Sequence, residues 1–182
     1  MTQSALDVIE REHEVLAQLF HEVSRVDVDR DEVLKRLVRR TAEHVSVEQS
    51  VLHPIVKERH LGGPDLADEL QHDYDEMGRL LGLIERRKIN SPDMPDLVTD
   101  LMDVTAAHRD RADSVLAPAM RREFDASELN ELGARMTSAQ TVILSHPHPH
   151  LLGLGPLSRL TTRLASLQDR WRDRLVNNRT GQ

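Results

Sequence analysis

The strongest constraint on the fold is a stripe of mainly apolar residues spaced for one face of a helix. Between residues 31 and 60 the stripe recurs at steps of three and four and is formed by Leu34, Leu37, Thr41, Val51 and Ile55. This spacing predicts an amphipathic helix. The stripe positions between Thr41 and Val51 are filled by His44 and Glu48. The predicted core face therefore carries an imidazole and a carboxylate one turn apart.

Four such segments, each of roughly 20–30 residues, follow one another along the chain. They cover about residues 4–24, 31–60, 64–88 and 96–122. Ser4 is the predicted N-cap of the first segment, and Pro54 is expected to kink the second or end its regular part. Aromatic residues make up only 2% of the chain, which favours helices over strands. The sequence predicts an all-α, up-down-up-down four-helix bundle with a C-terminal helical extension.

Each predicted helix carries one histidine on or beside its apolar stripe, namely His13, His44, His72 and His108. Glu48 and Glu76 each follow one of these histidines by four residues, about 400° of helix rotation, so each pair shares a face. A lone inward histidine is usually a core residue with a hydrogen-bond partner. Four histidines with two carboxylates are different, because a carboxylate removed from water without a partner costs several kcal/mol. The pattern favours a buried metal centre over a purely structural core.

The donor types narrow the choice of metal. The chain has no cysteine, so a thiolate site is excluded, and imidazole with carboxylate suits Fe, Mn or Zn. More than four donors indicate more than one ion, or a higher coordination number than zinc usually takes. Paired inward His and Glu residues in a four-helix bundle are typical of dinuclear carboxylate sites.

With these motifs in order, the sequence resembles the hemerythrin-like proteins, which contain the HHE cation-binding domain. The resemblance covers about residues 5–120 and rests on His13, "HVSVE" from 44, "HDYDE" from 72 and "HRDRAD" from 108. It implies seven metal ligands: His13, His44, Glu48, His72, Glu76, His108 and Asp113. It further implies two non-haem Fe ions with an oxo or hydroxo bridge. Glu48 and Asp113 would bridge them, His72, Glu76 and His108 would bind one iron, and His13 and His44 the other.

Helix geometry alone does not direct Asp113 or Tyr74 towards the predicted metal site. Asp113 follows His108 by five residues, about 500° of rotation, so it needs a local distortion such as a π-bulge to reach the metals. Tyr74, the one tyrosine of the chain, lies two residues after His72 and is expected to face away from the site.

The expected function follows from Glu76, which stands where oxygen-carrying hemerythrins have a fifth histidine. A carboxylate ligand stabilises the ferric state and lowers the reduction potential. We therefore expect reaction with hydrogen peroxide or O2, catalase-like or redox-protective as the resemblance implies, rather than oxygen carriage. No separate general acid or nucleophile is evident. An O2-binding or iron-binding sensor or store without turnover, and a bundle whose metal is only structural, stay open.

Composition bounds the partners and the location. The formal net charge is −7, which argues against nucleic acid as a partner of the main body. The first fifteen residues carry several acids and no apolar core segment, unlike a signal peptide. No apolar run approaches the roughly 20 residues that span a bilayer. We expect a cytoplasmic protein with O2 or H2O2 as its small-molecule ligand.

We expect two domains, the bundle at residues 1–125 and a helical extension at residues 126–182. The extension divides into three parts. Residues 127–143 predict a short amphipathic helix that packs on the bundle. "HPHPH", residues 146–150, predicts an extended linker, with a stray surface metal site as the alternative. A stripe of Leu and Trp at residues 157–175 predicts a basic amphipathic helix. This helix either covers its own bundle, forms a homodimer, or contacts a membrane or another partner.

Overall fold

The structure, a computed structural model, describes residues 3–145. Its elements are α1 (Ala5–Val23), α2 (Arg30–Val47), a first π-helical segment (Glu48–Leu52), α3 (His53–Arg59), α4 (Leu66–Glu85), α5 (Met94–Arg111), a second π-helical segment (Ala112–Leu116), α6 (Ala117–Glu123) and α7 (Ala126–Ser145). Each π-helical segment joins two α-helices without a break. The described part of the chain is thus all-helical, and the predicted four-helix bundle is confirmed, with α7 added to it.

Capping explains where the first helix begins. The Asp7 N–H donates to Ser4 Oγ at 3.2 Å, and the Ser4 N–H donates to Asp7 Oδ2 at 2.9 Å. This reciprocal pair satisfies two of the backbone donors that a helix start leaves free. Ser4 is therefore the N-cap that the sequence predicted.

The apolar stripes meet in a common core. Among the fully buried side chains are Leu16 of α1, Leu37 of α2 and Leu101 of α5. The third bundle helix, α4, contributes Leu70, Tyr74, Met77, Leu80 and Leu81, none of them more than 1% exposed. Burying each large apolar side chain contributes about 1.5–3 kcal/mol, so this face of α4 determines how the helix is rotated about its axis.

An ion-pair cluster joins α1 to α2 at the edge of this core. Arg40 donates to Glu12 Oε2 at 2.8 Å and to Glu43 Oε2 at 3.0 Å, and both carboxylates are buried. One turn away on the same helix, Arg36 pairs with Glu22 at 3.3 Å near the surface. The first pair removes charge from water at a helix contact, whereas the second stays largely solvated.

The two π-helical segments share a local cause. Both precede a proline in the repeated pattern Ser-Val-Leu-x-Pro, at residues 50–54 and 114–118. The N–H of His53 donates to the carbonyl of Glu48, and that of Ala117 donates to the carbonyl of Ala112, five residues back in each case. A proline in a regular helix clashes with the carbonyl four residues before it, and a widened turn accommodates the ring. The expected distortion near Asp113 is present.

The helix predicted at 127–143 is present as α7, which packs on α1 and α2 and buries Leu132, Met136 and Ala139. The described residues all belong to one compact unit that includes α7. The predicted linker at 146–150 and the Leu/Trp stripe at 157–175, with the three alternatives for its packing, lie outside the described residues. No helix among residues 3–145 is both long enough and apolar enough to cross a membrane.

Candidate metal centre

Four of the seven predicted ligands meet in the middle of the bundle. His13 comes from α1, His44 from α2, Glu48 from the first residue of the π-helical segment and His108 from α5. One donor atom from each lies within 4.8 Å of the donor atoms of the others. All four side chains are at most 2% exposed. We call these four residues the His/Glu cluster.

The donor atoms of the cluster face one another at short range. His108 Nε2 lies 3.0 Å from Glu48 Oε2, and His44 Nε2 lies 3.7 Å from the same oxygen. The Nε2 atoms of His44 and His108 are 3.3 Å apart. The ring of His13 stands edge-on to the other two imidazoles, with centroids 4.9 Å and 5.3 Å away. Three helices thus direct four metal-binding side chains at one point.

A second layer of polar side chains surrounds the cluster. The Tyr74 hydroxyl donates to Glu48 Oε2 at 3.0 Å. Asp73 Oδ2 lies 3.5 Å from His108 Nδ1, the outer limit of a hydrogen bond, and Arg111 pairs with the same carboxylate. A carboxylate beside the outer nitrogen of a histidine orients the ring and leaves the inner nitrogen for a metal. Helix α4 therefore supplies supporting residues to the site.

Three predicted ligands are not brought to the cluster. His72 is exposed. Glu76 forms an ion pair with Arg79 at 2.6 Å, and Asp113, with 56% of its side chain exposed, lies 3.5 Å from Arg109. The prediction that each bundle helix contributes one inward histidine is thus wrong for α4. The proposed effect of Glu76 on a reduction potential loses its basis, because the carboxylate stands at the surface.

The physical reason lies in the rotation of α4. Tyr74 is two residues, about 200° of rotation, from His72, so only one of the two can face the core. Burial of the apolar stripe that includes Tyr74 and Met77 decides between them. The expectation that Tyr74 faces away from the site is therefore wrong as well. At the second π-helical segment, the widened turn is present, yet Asp113 still faces solvent.

Burial and close approach shift the ionisation of the cluster. Burial, followed by the neighbouring His44 ring, lowers the pKa of His13 to about 3, and burial lowers the pKa of His44. Burial disfavours a charged His108 ring too, but Glu48 and Asp73 outweigh this and raise its pKa to about 9. The pKa of Glu48 lies well below its usual range, because the surrounding imidazoles outweigh its burial. The metal-free cluster holds a carboxylate and one protonated imidazole.

Several buried atoms of the cluster have no hydrogen-bond partner. These are both ring nitrogens of His13 and Oε1 of Glu48, whereas His108 Nδ1 has only the long Asp73 contact described above. An unpaired buried polar atom costs about 1–3 kcal/mol, so several at one point indicate a partner that binds there. Imidazole nitrogens and a carboxylate oxygen, without thiolate, fit iron, manganese or zinc. The residues at this point fit a cation.

The sequence reasoning missed Asp73, Tyr74 and Arg111. For Tyr74 a signal was available, because it lies four residues after Leu70 and three before Met77, the spacing of the buried stripe. Arg111 reaches Asp73 from 38 residues away, and no local pattern reports such a contact.

Comparison with known proteins places these observations in a family. The family model described as the hemerythrin HHE cation-binding domain matches residues 4–120. A crystal structure of a hemerythrin HHE cation-binding domain-containing protein from Mycobacterium kansasii aligns with a TM-score of 0.66 at 19% identity. The alignment covers 82% of this chain and 98% of that one. At this identity the likeness shows a shared fold.

One curated relative is much longer than this chain. A protein from Nostoc sp. named DNA nickase is 26% identical over 139 residues. The matched part is 75% of this chain and 39% of the relative, so this chain spans well under half of that protein's length.

Proposed function

Because the chain belongs to the hemerythrin HHE cation-binding domain family, we propose that it binds non-haem iron in the His/Glu cluster and reacts there with hydrogen peroxide or O2. The role would be catalase-like or redox-protective. The observation that supports the proposal is the buried meeting point of three imidazoles and one carboxylate, with donor atoms of His13 and Glu48 left unpaired. A purely structural core would satisfy these atoms within the protein.

Iron bound in the cluster would supply the electrons exchanged with peroxide or O2. In the catalase-like reaction, two H2O2 are converted into one O2 and two H2O, so no further reductant or oxidant is needed. The donor set suits the task, because imidazole and carboxylate bind both oxidation states of iron.

The protein side chains have separable roles in this proposal. His13, His44 and His108 would hold the cation as neutral ligands, and Glu48 would add the one negative charge in the cluster. The lowered pKa of Glu48 keeps it anionic at neutral pH. Tyr74 holds a proton on its hydroxyl 3.0 Å from Glu48 Oε2, and burial, then the Glu48 charge, raise the pKa of this phenol. The phenol is thus a neutral hydrogen-bond donor at the edge of the site.

A second candidate is an O2-binding or iron-binding sensor or store without turnover. The burial of all four donors favours it, because Tyr74 and the bundle helices separate the cluster from bulk water. The same assays distinguish the two, because a sensor or store would bind iron and evolve no O2 from peroxide.

The name of the Nostoc relative does not lead us to propose DNA cleavage here. The matched part is only 39% of that protein, and the net charge of −7 disfavours contact with a phosphate backbone. A plasmid-nicking assay tests this directly, and we expect no cleavage.

The central test is metal analysis of protein purified without a His-tag. We expect bound iron, an absorption spectrum that changes on adding dithionite, and O2 evolution from added peroxide at half a mole per mole consumed. Glu48→Gln should lower iron content, whereas His72→Ala, a change at an exposed histidine of the same motif set, should not. Bound zinc with no response to peroxide would favour a structural metal instead, and absence of any metal would refute the proposal.

A further inference from the structure

We infer that the His/Glu cluster holds a single cation, and that α4 closes the site with Tyr74 and Asp73 instead of supplying ligands for a second one. This rests on the proposed function, in that a cation must bind at the cluster at all. It departs from the oxo-bridged pair that the resemblance implied, and three observations carry it.

The first observation is the spacing of the donor atoms. Metal–nitrogen and metal–oxygen bonds are about 2.0–2.2 Å long, so ligands around one ion lie roughly 3.0–3.6 Å apart when adjacent and about 4.2 Å apart when opposite. In the cluster the distances from His108 Nε2 to Glu48 Oε2 and to His44 Nε2 are 3.0 and 3.3 Å, and that from His44 Nε2 to Glu48 Oε2 is 3.7 Å. The first two distances fall within the range for adjacent ligands of one ion, and the third lies between the adjacent and the opposite spacing.

A pair of ions would need a different spacing. Two metal ions in a shared site lie about 3.5–4 Å apart, and their terminal ligands point away from each other. A terminal ligand atom of one ion therefore lies roughly 6 Å or more from a terminal ligand atom of the other. The pair would divide the histidines, with His44 on one ion and His108 on the other. Their Nε2 atoms are 3.3 Å apart, well below the spacing expected of terminal ligands on two ions.

The second observation is the inward face of α4. Five of its side chains, Leu70, Tyr74, Met77, Leu80 and Leu81, are at most 1% exposed. Bringing His72 inward requires about half a turn of rotation and would expose these residues. Because the buried apolar stripe fixes the rotation of α4, the opposite face, which carries His72, stays outside the core. The ligands that a second ion would take from α4 are therefore absent from the site.

The third observation is that the remaining carboxylates already have partners at the surface. Glu76 accepts two hydrogen bonds from the Arg79 guanidinium, at 2.6 and 2.8 Å. Asp113 faces Arg109 at 3.5 Å. The one carboxylate inside the cluster is Glu48, and the carboxylate beside it, Asp73, contacts the outer nitrogen of His108 and Arg111. Among the described residues, four donors converge, a number that serves one ion.

The test uses metal-free, full-length protein titrated with Co2+ in a nitrilotriacetate buffer, which suppresses weak binding by surface histidines. The measurements are the cobalt absorption bands, the bound metal per chain and electron paramagnetic resonance, which separates an isolated ion from a coupled pair. Two variants are compared with the unaltered chain. One combines His72→Ala, Glu76→Gln and Asp113→Asn, all at the surface, and the other is His44→Ala in the cluster. Circular dichroism confirms that each variant is folded.

We expect one equivalent of Co2+ with the signal of an isolated ion, and an affinity for the triple variant within about twofold of the unaltered chain. His44→Ala should lose at least about 100-fold, since even changes to residues that only support a ligand cost about 10–100-fold. Two equivalents of tightly bound cation, or a tenfold loss in the triple variant, would overturn the single-cation inference and leave the proposed function standing. No binding by the unaltered chain would refute the proposed function itself.

Discussion

Cation binding to the His/Glu cluster should displace one proton. In the metal-free protein His108 and Glu48 form an ion pair, with Nε2 and Oε2 3.0 Å apart. A metal takes the same nitrogen lone pair that this proton occupies, so the two compete. His13 and His44 are already neutral at pH 7, because burial lowers the pKa of both rings. The competition therefore concerns one proton per chain.

The size of the effect follows from the pKa of about 9 that the pair gives to His108. At pH 7, two units lower, about one chain in 100 has the nitrogen free, so the apparent affinity for a cation lies about 100-fold below its plateau. Affinity should rise about tenfold per pH unit from 7 to 9 and then level off. Each cation bound at pH 7 should release about one proton.

The assay is calorimetric titration of metal-free protein with Zn2+ in two buffers of different ionisation enthalpy, repeated in half-unit steps from pH 6.5 to 9. The difference in heat between buffers counts the protons released. His72→Ala serves as the control, since it removes an exposed histidine and should leave both the slope and the proton count unchanged. A flat affinity between pH 7 and 8.5, or no proton release, would refute the assignment of the proton to the His108–Glu48 pair.

The same pKa shift has a consequence for metal-free stability. A pKa raised in the folded state, from 6.5 to about 9, stabilises the fold fully below pH 6.5, and the contribution is lost as the pH rises through 9. The shift of 2.5 units corresponds to about 3 kcal/mol. The pKa values of His13 and His44 are lowered in the folded state, so protonation of the unfolded chain removes stability as the pH falls below 6.5. Urea unfolding of metal-free protein should show maximal stability near pH 6.5, and a maximum above pH 8 would contradict the assigned shifts.

Three further changes test the packing and the second layer. Asp73→Asn should weaken cation binding by about tenfold in a chelator competition, because it removes the charge that orients a ligand imidazole; unchanged affinity would argue against that role. Arg40→Ala removes the partner of two buried carboxylates, Glu12 and Glu43, and should lower the unfolding free energy by about 1–3 kcal/mol in urea. Arg36→Ala, at an exposed pair, should cost less than about 1 kcal/mol, and equal losses would contradict the difference in burial. Gly133→Ala should destabilise the fold by about 1–3 kcal/mol, because its Cβ would lie 2.2 Å from the backbone oxygen of Gln3, just before α1. Gly78→Ala has open space around the added Cβ and should stabilise the fold by about 0.5–1 kcal/mol. Equal melting temperatures for the two variants would contradict the packing of α7 against the start of α1.

The helices were predictable because their signals are local. The spacing of apolar residues, the cap at Ser4 and the prolines at 54 and 118 each act within a few residues, and the observed bounds differ from the predicted ones by only a few positions. For α1, α2 and α5 the histidine and the apolar stripe lie on the same face. The sequence could therefore place His13, His44 and His108 inside the bundle together, and Glu48 with them.

The third bundle helix shows what a motif cannot decide. His72 and Glu76 have the correct spacing to share a face, but spacing says nothing about which face the bundle buries. That choice depends on the summed burial of Leu70, Tyr74 and Met77 against three other helices, and it turns His72 outward. On α4 the ligand motif and the apolar stripe lie on different faces. The helix buries the apolar stripe because this removes more apolar surface from water than burying the motif would.

Sequence alone thus determined the helical class, the helix bounds and a central point where histidines and a carboxylate converge. The tertiary structure decided the rotation of α4, the role of Tyr74 and the link from Arg111 through Asp73 to His108. These features depend on contacts between residues 26 to 38 positions apart. Such contacts arise only when the helices pack, since the free energy that selects them is shared over the whole core and is absent from any single segment.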